Sequence, residues 1–501
     1  MRQAGILMPV FSLPSPYGIG TMGRAAREFI LFLEAAGQRY WQTLPLGPTS
    51  YGDSPYQSFS SRAGNPYFID LDLLAEEGLL EGSEYRDLDW GPDPERVDYG
   101  LLYQTRYPVL RRACTRLLAG DRTDFDHFCQ EHRDWLEDYA LFMAIKDSQG
   151  GVSWSQWPEG LRLRCPKTLE KARRELAEDV AFWKAVQFLF FRQWMQVRNF
   201  AHAHHVEIIG DLPIYVSYDS ADVWANPGQF QMDGDLLPTA VAGCPPDGFS
   251  EDGQLWGNPL FRWDRMKEEG YRWWVDRVAF QFQLYDVLRI DHFRGFDEYY
   301  AIPYGEDTAR NGTWLPGPGL DFFRAVAKRL GRPRIIAEDL GFLTESVYQL
   351  LKDTGFPGMK VLQFAFDPRD TGSGYLPHCY TPHCVAYTGT HDNDTIQGWM
   401  ATAPVASVRR AKRYLRLTKR EGYHWGMMRG IWASVADLAV VQAQDLLGLG
   451  NEARINVPST VGTNWLWRAL PGSFPQSLAR KLRGEMELYG RLEERERADQ
   501  K

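Results

Sequence analysis

Little in this chain would cross-link it, anchor it or draw it to a polyanion. Six cysteines in 501 residues (Cys114, Cys129, Cys165, Cys244, Cys379 and Cys384) are too sparse for a disulfide scaffold, and no CxxC pair occurs. No long uncharged apolar run is present. The richest, VAFWKAVQFLFFRQW at 180–194, is interrupted by Lys184 and Arg192, so no membrane partner is expected. MRQAGILMPVFSLPSPYGIG lacks a basic region followed by a sustained apolar segment and is a poor secretory signal, which points to a reduced, soluble, cytoplasmic protein. Sustained Lys/Arg blocks are missing and the net charge is -9, which argues against nucleic acid as a partner. There is no GxSxG elbow, P-loop or dinucleotide fingerprint. Carboxylate chemistry is what these absences leave.

What the chain does have is aromatic side chains: 18 Trp and 24 Tyr among 501 residues. Such rings are general core material, and they also offer flat faces to the C–H surface of a sugar ring. Abundance alone favours the core.

Short apolar segments that end in polar or Gly/Pro-rich sequence recur eight times, at 5–10, 40–46, 206–214, 287–293, 334–341, 359–366, 384–393 and 453–460. Helical spacing fills several gaps between them, as in TMGRAAREFILFLEAAG (21–37) and GLDFFRAVAKRLG (319–331), each closed by glycine. This alternation predicts parallel strands with crossover helices, and eight of them predict a (β/α)8 barrel of the α/β class with its site at the C-terminal strand ends. The expected organisation is one enlarged barrel domain over 1–501 with two insertions. The first, 72–203, reads as mainly helical. The second, 215–284, is loop-rich in Gly, Pro, Asp and Trp and is expected to contribute to a substrate cleft.

The run VLRIDHFRGF (287–296) ends in more ionisable groups than a buried strand needs. Alternation puts Arg289 and Asp291 on one face, where the cation favours the charged carboxylate. A structural ion pair would explain the same residues. IAEDLG (336–341) adds Glu338 and Asp339 on opposite faces, and THDND (390–394) adds His391, Asp392 and Asp394. Three strand ends therefore carry acids to one mouth, the arrangement a retaining glycosidase uses for a nucleophile and an acid/base. DGDL (233–236) has only two acids and no 12-residue calcium loop, and the His-Cys pairs of HCYTPHC (378–384) do not follow a zinc spacing. No metal and no cofactor are expected.

Seven segments in order, GDSPYQSFSSRAGNPYFIDL (52–71), GDLPIYV (210–216), LWGNPLF (255–261), RIDHFRG (289–295), IAEDLG, THDND and VPSTVGTNW (457–465), make the chain resemble the 4-alpha-glucanotransferases of glycoside hydrolase family 77. The resemblance covers almost the whole length. It implies that Asp291 is the nucleophile, Glu338 the general acid/base and Asp392 a transition-state stabiliser. It further implies sugar contacts from Arg289 and His391, and glucan contacts from Ser54, Tyr56, Asp211, Trp256 and Asn464. The implied substrates are an α-1,4-glucan donor and acceptor, and the expected state is a monomer. Two rivals stay open: a hydrolase of the related alpha-amylase class with water as acceptor, and a noncatalytic glucan-binding barrel.

Overall fold

Apolar runs in this chain form strands that stop where polar residues begin, and that habit sets the architecture. The computed structural model describes residues 2–246, 250–341, 343–367 and 373–492. Within them lie twelve strands: β1 (Gln3–Leu7), β2 (Tyr40–Gln42), β3 (Glu207–Leu212), β4 (Ala240–Cys244), β5 (Gln254–Pro259), β6 (Val287–Ile290), β7 (Glu298–Pro303), β8 (Thr313–Pro316), β9 (Ile335–Ala337), β10 (Gly358–Val361), β11 (Cys384–Tyr387) and β12 (Leu438–Gln442). Eight of these close into a parallel (β/α)8 barrel in the order β1-β12-β11-β10-β9-β6-β3-β2. Its strands are buried on both faces, which is why they read as continuous apolar runs and do not alternate.

Helices cover the barrel with the periodicity the sequence shows. Arg24–Ala35 buries Ala26, Phe29, Ile30 and Leu33, one stripe of a 3.6-residue repeat. Gly319–Leu330, between β6 and β9, buries Phe322, Phe323 and Val326 and stops at Gly331, whose φ of 75° a side chain would strain. Between β2 and β3 the long connection is helical, with Tyr99–Ala119, Arg133–Ser148 and Ala177–Ala203 its longest members. Ala177–Ala203 doubles as the crossover helix: Trp194 Nε1 donates to the Leu284 carbonyl at 3.1 Å, and Gln193 exchanges hydrogen bonds with the Asp70 backbone. Among the described residues no helix is long and apolar enough to cross a membrane.

Two features depart from expectation. The eighth barrel strand is β12, and 453–460 is a loop at the mouth with no ladder. Its backbone bonds go elsewhere: Asn456 N–H donates to the His391 carbonyl, and the Ile455 carbonyl accepts from Trp465. LAVVQ runs straight into a helix at Ala443–Leu447 without a carboxylate or Gly/Pro cluster at its end, so the punctuation that marked the other strands is missing. The second feature is an antiparallel sheet in the order β5-β4-β7-β8, built from the connections on both sides of β6.

Register then places the charges. Asp211 on β3 pairs with Arg289 on β6, and Ile290 pairs with Ala337 on β9, so Asp291 and Glu338 leave neighbouring strands on the same rung. Gly210 is required beside Asp211 because a Cβ there would stand 2.1 Å from the ring of buried Tyr285. Gly210→Ala is expected to cost about 1–3 kcal/mol through overpacking, seen as a lower urea midpoint; an unchanged midpoint would show that the ring yields freely.

Candidate active site

A cleft of about 1070 Å³ opens at the C-terminal strand ends, with Arg289, Asp291, Glu338, His391 and Asp392 in its floor. The Arg289 guanidinium, 3% exposed, organises that floor. Nη1 donates to both Asp211 oxygens at 2.7 and 2.6 Å, and Nη2 lies 3.0 Å from Asp291 Oδ1. Asp211 is itself fully buried, and its Oδ2 also accepts from Tyr56 Oη at 2.8 Å. Tyr56 stacks on His391 with ring centroids 5.0 Å apart, and Trp465 packs beside both.

Two of these acids are pushed in opposite directions by their surroundings. Burial pushes the Glu338 carboxyl up to about 7; Arg289 pulls against it, the neighbouring Asp291 charge adds to it, and the Leu340 and His292 N–H groups pull it back. Those N–H bonds, 2.9 Å to Oε1 and 2.8 Å to Oε2, also fix its direction. Asp392 goes the other way. Burial would raise it, but His391 at 3.2 Å and Asn456 Nδ2, donating at 2.6 Å, hold it down to about 2. For His391, burial works against protonation and the Asp392 charge overrides it, so its pKa is raised.

Other acids of the same motifs face away from the cleft. Asp339 is buried against β10, where its Oδ1 accepts from Met359 N–H at 2.6 Å. Asp394 ties the loop downward to Arg454 and, at 2.9 Å, to Asn451. Asp233 of DGDL closes its own turn, accepting from the backbone N–H groups of Asp235 and Leu237. The histidines of HCYTPHC part company, His378 contacting Tyr414 Oη and His383 the Gly355 carbonyl.

Of the expected glucan contacts, Ser54, Tyr56 and Trp256 line the cleft with Arg289 and His391. Asp211 and Asn464 do not line it. Asp211 stands behind Arg289, while Asn464, 5% exposed, staples the 457–464 turn through bonds to Val457 N–H and the Thr460 carbonyl. That turn brings Pro458, Ser459 and Val461 to the cleft wall.

Sequence reasoning missed several residues here. Trp465 closes the VPSTVGTNW segment and, as an aromatic within a recognised motif, was open to notice. Asn456 reaches Asp392 across 64 residues, with no local signal. His292 adopts a left-handed backbone (φ 53°), which turns its N–H toward Glu338 and its ring edge-on to Trp256 at 5.0 Å. Burial lowers its pKa to about 4, and its Nε2 has no hydrogen-bond partner among the described residues. Gln57 and Asn258 join the two aromatic-bearing walls, Nε2 to Oδ1 at 3.2 Å.

Comparison with known proteins bears on the family. A family model described as 4-alpha-glucanotransferase matches residues 8–472. The 4-alpha-glucanotransferase of Clostridium butyricum is 50% identical over 488 residues, covering 97% of this chain and 100% of that protein. That of Thermus thermophilus is 48% identical over 502 residues, covering 98% and 99% respectively. Among solved structures, the amylomaltase of Streptococcus agalactiae in complex with acarbose superposes with a TM-score of 0.96 at 41% identity, covering 98% of this chain and 100% of that one. With a parallel barrel, a floor of carboxylates and near-complete alignment to these enzymes, the chain belongs to the 4-alpha-glucanotransferases, glycoside hydrolase family 77.

Proposed function

We propose that the enzyme moves a segment of an α-1,4-glucan to the 4-hydroxyl of an acceptor glucan or glucose by double displacement through a glycosyl ester on Asp291. One observation carries this reading: a carboxyl pushed up to about 7, Glu338, shares the mouth with Asp392, held down to about 2, and with Asp291 in an ion pair to Arg289. A general acid that keeps its proton while a neighbouring carboxylate stays charged is what the first step requires.

In the first step Asp291 attacks the anomeric carbon as the C–O bond to the leaving glucan breaks, and the Glu338 proton passes to the leaving oxygen. Glu338, now a carboxylate, takes the proton of the incoming 4-hydroxyl. The acceptor oxygen then displaces Asp291, so configuration is retained. Asp392, its charge kept by His391 and Asn456, faces the positive charge that develops on the sugar. Arg289, His391, Ser54, Tyr56 and Trp256 are proposed to touch the glucan, with Asp211 and Asn464 setting the position of Arg289 and of the 457–464 turn. Neutral His292, with a nitrogen lacking a partner among the described residues and lying beside Trp256, offers a sugar hydroxyl a hydrogen-bonding group.

Transfer requires that water be kept from the ester. The segment 51–59 and the segment 245–260 with Trp256 are proposed to cover it; residues 247–249 of the latter lie outside the described residues.

Asp291→Asn is expected to lower kcat on maltotriose by at least about 10³-fold, on the scale of losing a covalent step or its proton transfer. Glu338→Gln with a glycosyl fluoride, whose leaving group needs no proton, should accumulate an adduct that peptide mass spectrometry places on Asp291; an adduct elsewhere would sink the assignment. Because Glu338 must enter the first step protonated, kcat/KM should fall as pH rises through about 7, and a profile flat to pH 9 would contradict this. Trp256→Ala should raise glucose release relative to longer products in a maltotriose digest, and an unchanged ratio removes Trp256 from the covering role.

A further inference from the structure

The strand β12 brings no carboxylate to the cleft, yet the helix that follows it, Ala443–Leu447, carries Asp445, which is fully buried and outside the catalytic floor. Its two oxygens go to the two ends of one loop. Oδ2 accepts from Thr388 Oγ1 at 2.7 Å, just past β11, and Oδ1 accepts from Ile396 N–H at 2.6 Å, where helix Ile396–Thr402 begins. Between those two points stand His391, Asp392 and Asp394.

We propose that Asp445 is a positioning residue for the transfer reaction: it clasps both ends of the 388–396 loop and thereby sets where Asp392 and His391 stand against Asp291 and Glu338. The rest of the loop is held from the same side. Gln442 at the end of β12 and Gln363 both donate to the Asp394 carbonyl, at 3.3 and 2.8 Å, and Arg454 Nη2 donates to the Asp392 carbonyl at 2.6 Å. Among the described residues only the Asp445 clasp spans the loop from entry to exit, so it closes the loop into a ring of fixed circumference. A carboxylate suits the task because it presents two acceptors to an obligate amide donor and a hydroxyl. Its burial pushes it up to about 7 against the Ile396 and Thr388 donors, so the group is kept at this place despite its cost in solvation.

This rests on the role of Asp392 given above, and the two can fail separately. Asp445→Leu removes both acceptors in a similar volume. It is expected to lower kcat on maltotriose by about 10- to 100-fold with KM within about twofold, as a misplaced charged group does when binding contacts survive. Asp445→Asn keeps an acceptor for Ile396 N–H and donates to Thr388 Oγ1, whose hydroxyl can reverse; it should restore kcat to within about threefold of the parent. Thr388→Val, isosteric and missing one bond, should fall between, and it decides the matter should Asp445→Leu not fold. Full kcat in Asp445→Leu or Thr388→Val at an unchanged melting temperature overturns the proposal, as does an Asp445→Asn variant no better than Asp445→Leu. If Asp392→Asn stays active, the role of Asp392 fails; if it is inactive while Asp445→Leu is active, the clasp alone fails.

Discussion

A guanidinium buried beneath the mouth of the barrel is the constraint around which this site is arranged. Arg289 is almost inaccessible, and an uncompensated charge at such depth would be strongly destabilising, by about 3–5 kcal/mol for a broken buried pair. Asp211, one strand over in the register, supplies the compensation with both oxygens. The second fork of Arg289 is then directed at Asp291, so the pairing that settles the buried charge also fixes the carboxylate at the end of β6. Tyr56 binds the far side of Asp211 and carries His391 on its ring face, which extends the same network to the loop after β11.

From this centre the acids diverge according to what each is offered. Among the described residues Glu338 accepts from backbone N–H groups alone, and although Arg289 pulls against it, burial and a neighbouring like charge push it up to about 7. Asp392 is given a histidine and an amide, and burial loses. Two carboxyls of similar chemistry are thus pushed in opposite directions within one cleft. Backbone geometry contributes: the left-handed turn at His292 presents the N–H that orients Glu338.

Much of this was legible in the chain, for a definite reason. Where an apolar run ends in polar or Gly/Pro-rich sequence, as in RIDHFRG, IAEDLG and THDND, the pattern marks the strand, and seven of the eight barrel strands overlap the segments so marked. LAVVQ ends in glutamine and passes directly into a helix, so β12 carried no such mark and the turn at 453–460 was taken in its place. The antiparallel sheet escaped for the opposite reason: its outer strands β5 and β8 are part-exposed, and the sheet is paired across the β6 connection, which local periodicity does not record. Asn456 and Asp445 act across 64 and 57 residues respectively, contacts that only the closed barrel creates. Asp211 and Asn464 belong to motifs that carry the family likeness, and their hydrogen bonds to Arg289 and to the Thr460 carbonyl are not written in those motifs.

The sheet β5-β4-β7-β8 has a consequence for how such a barrel can change. Loops of a (β/α)8 barrel ordinarily vary one at a time, each an independent module on a shared scaffold. Here β4 and β5 precede β6 in the chain while β7 and β8 follow it, and they hydrogen-bond across the strand that bears Asp291. Neither connection can be shortened or exchanged without leaving the other with an unpaired edge, so the two are inherited as one unit. Novelty on this side of the cleft must come from substitutions on a fixed frame.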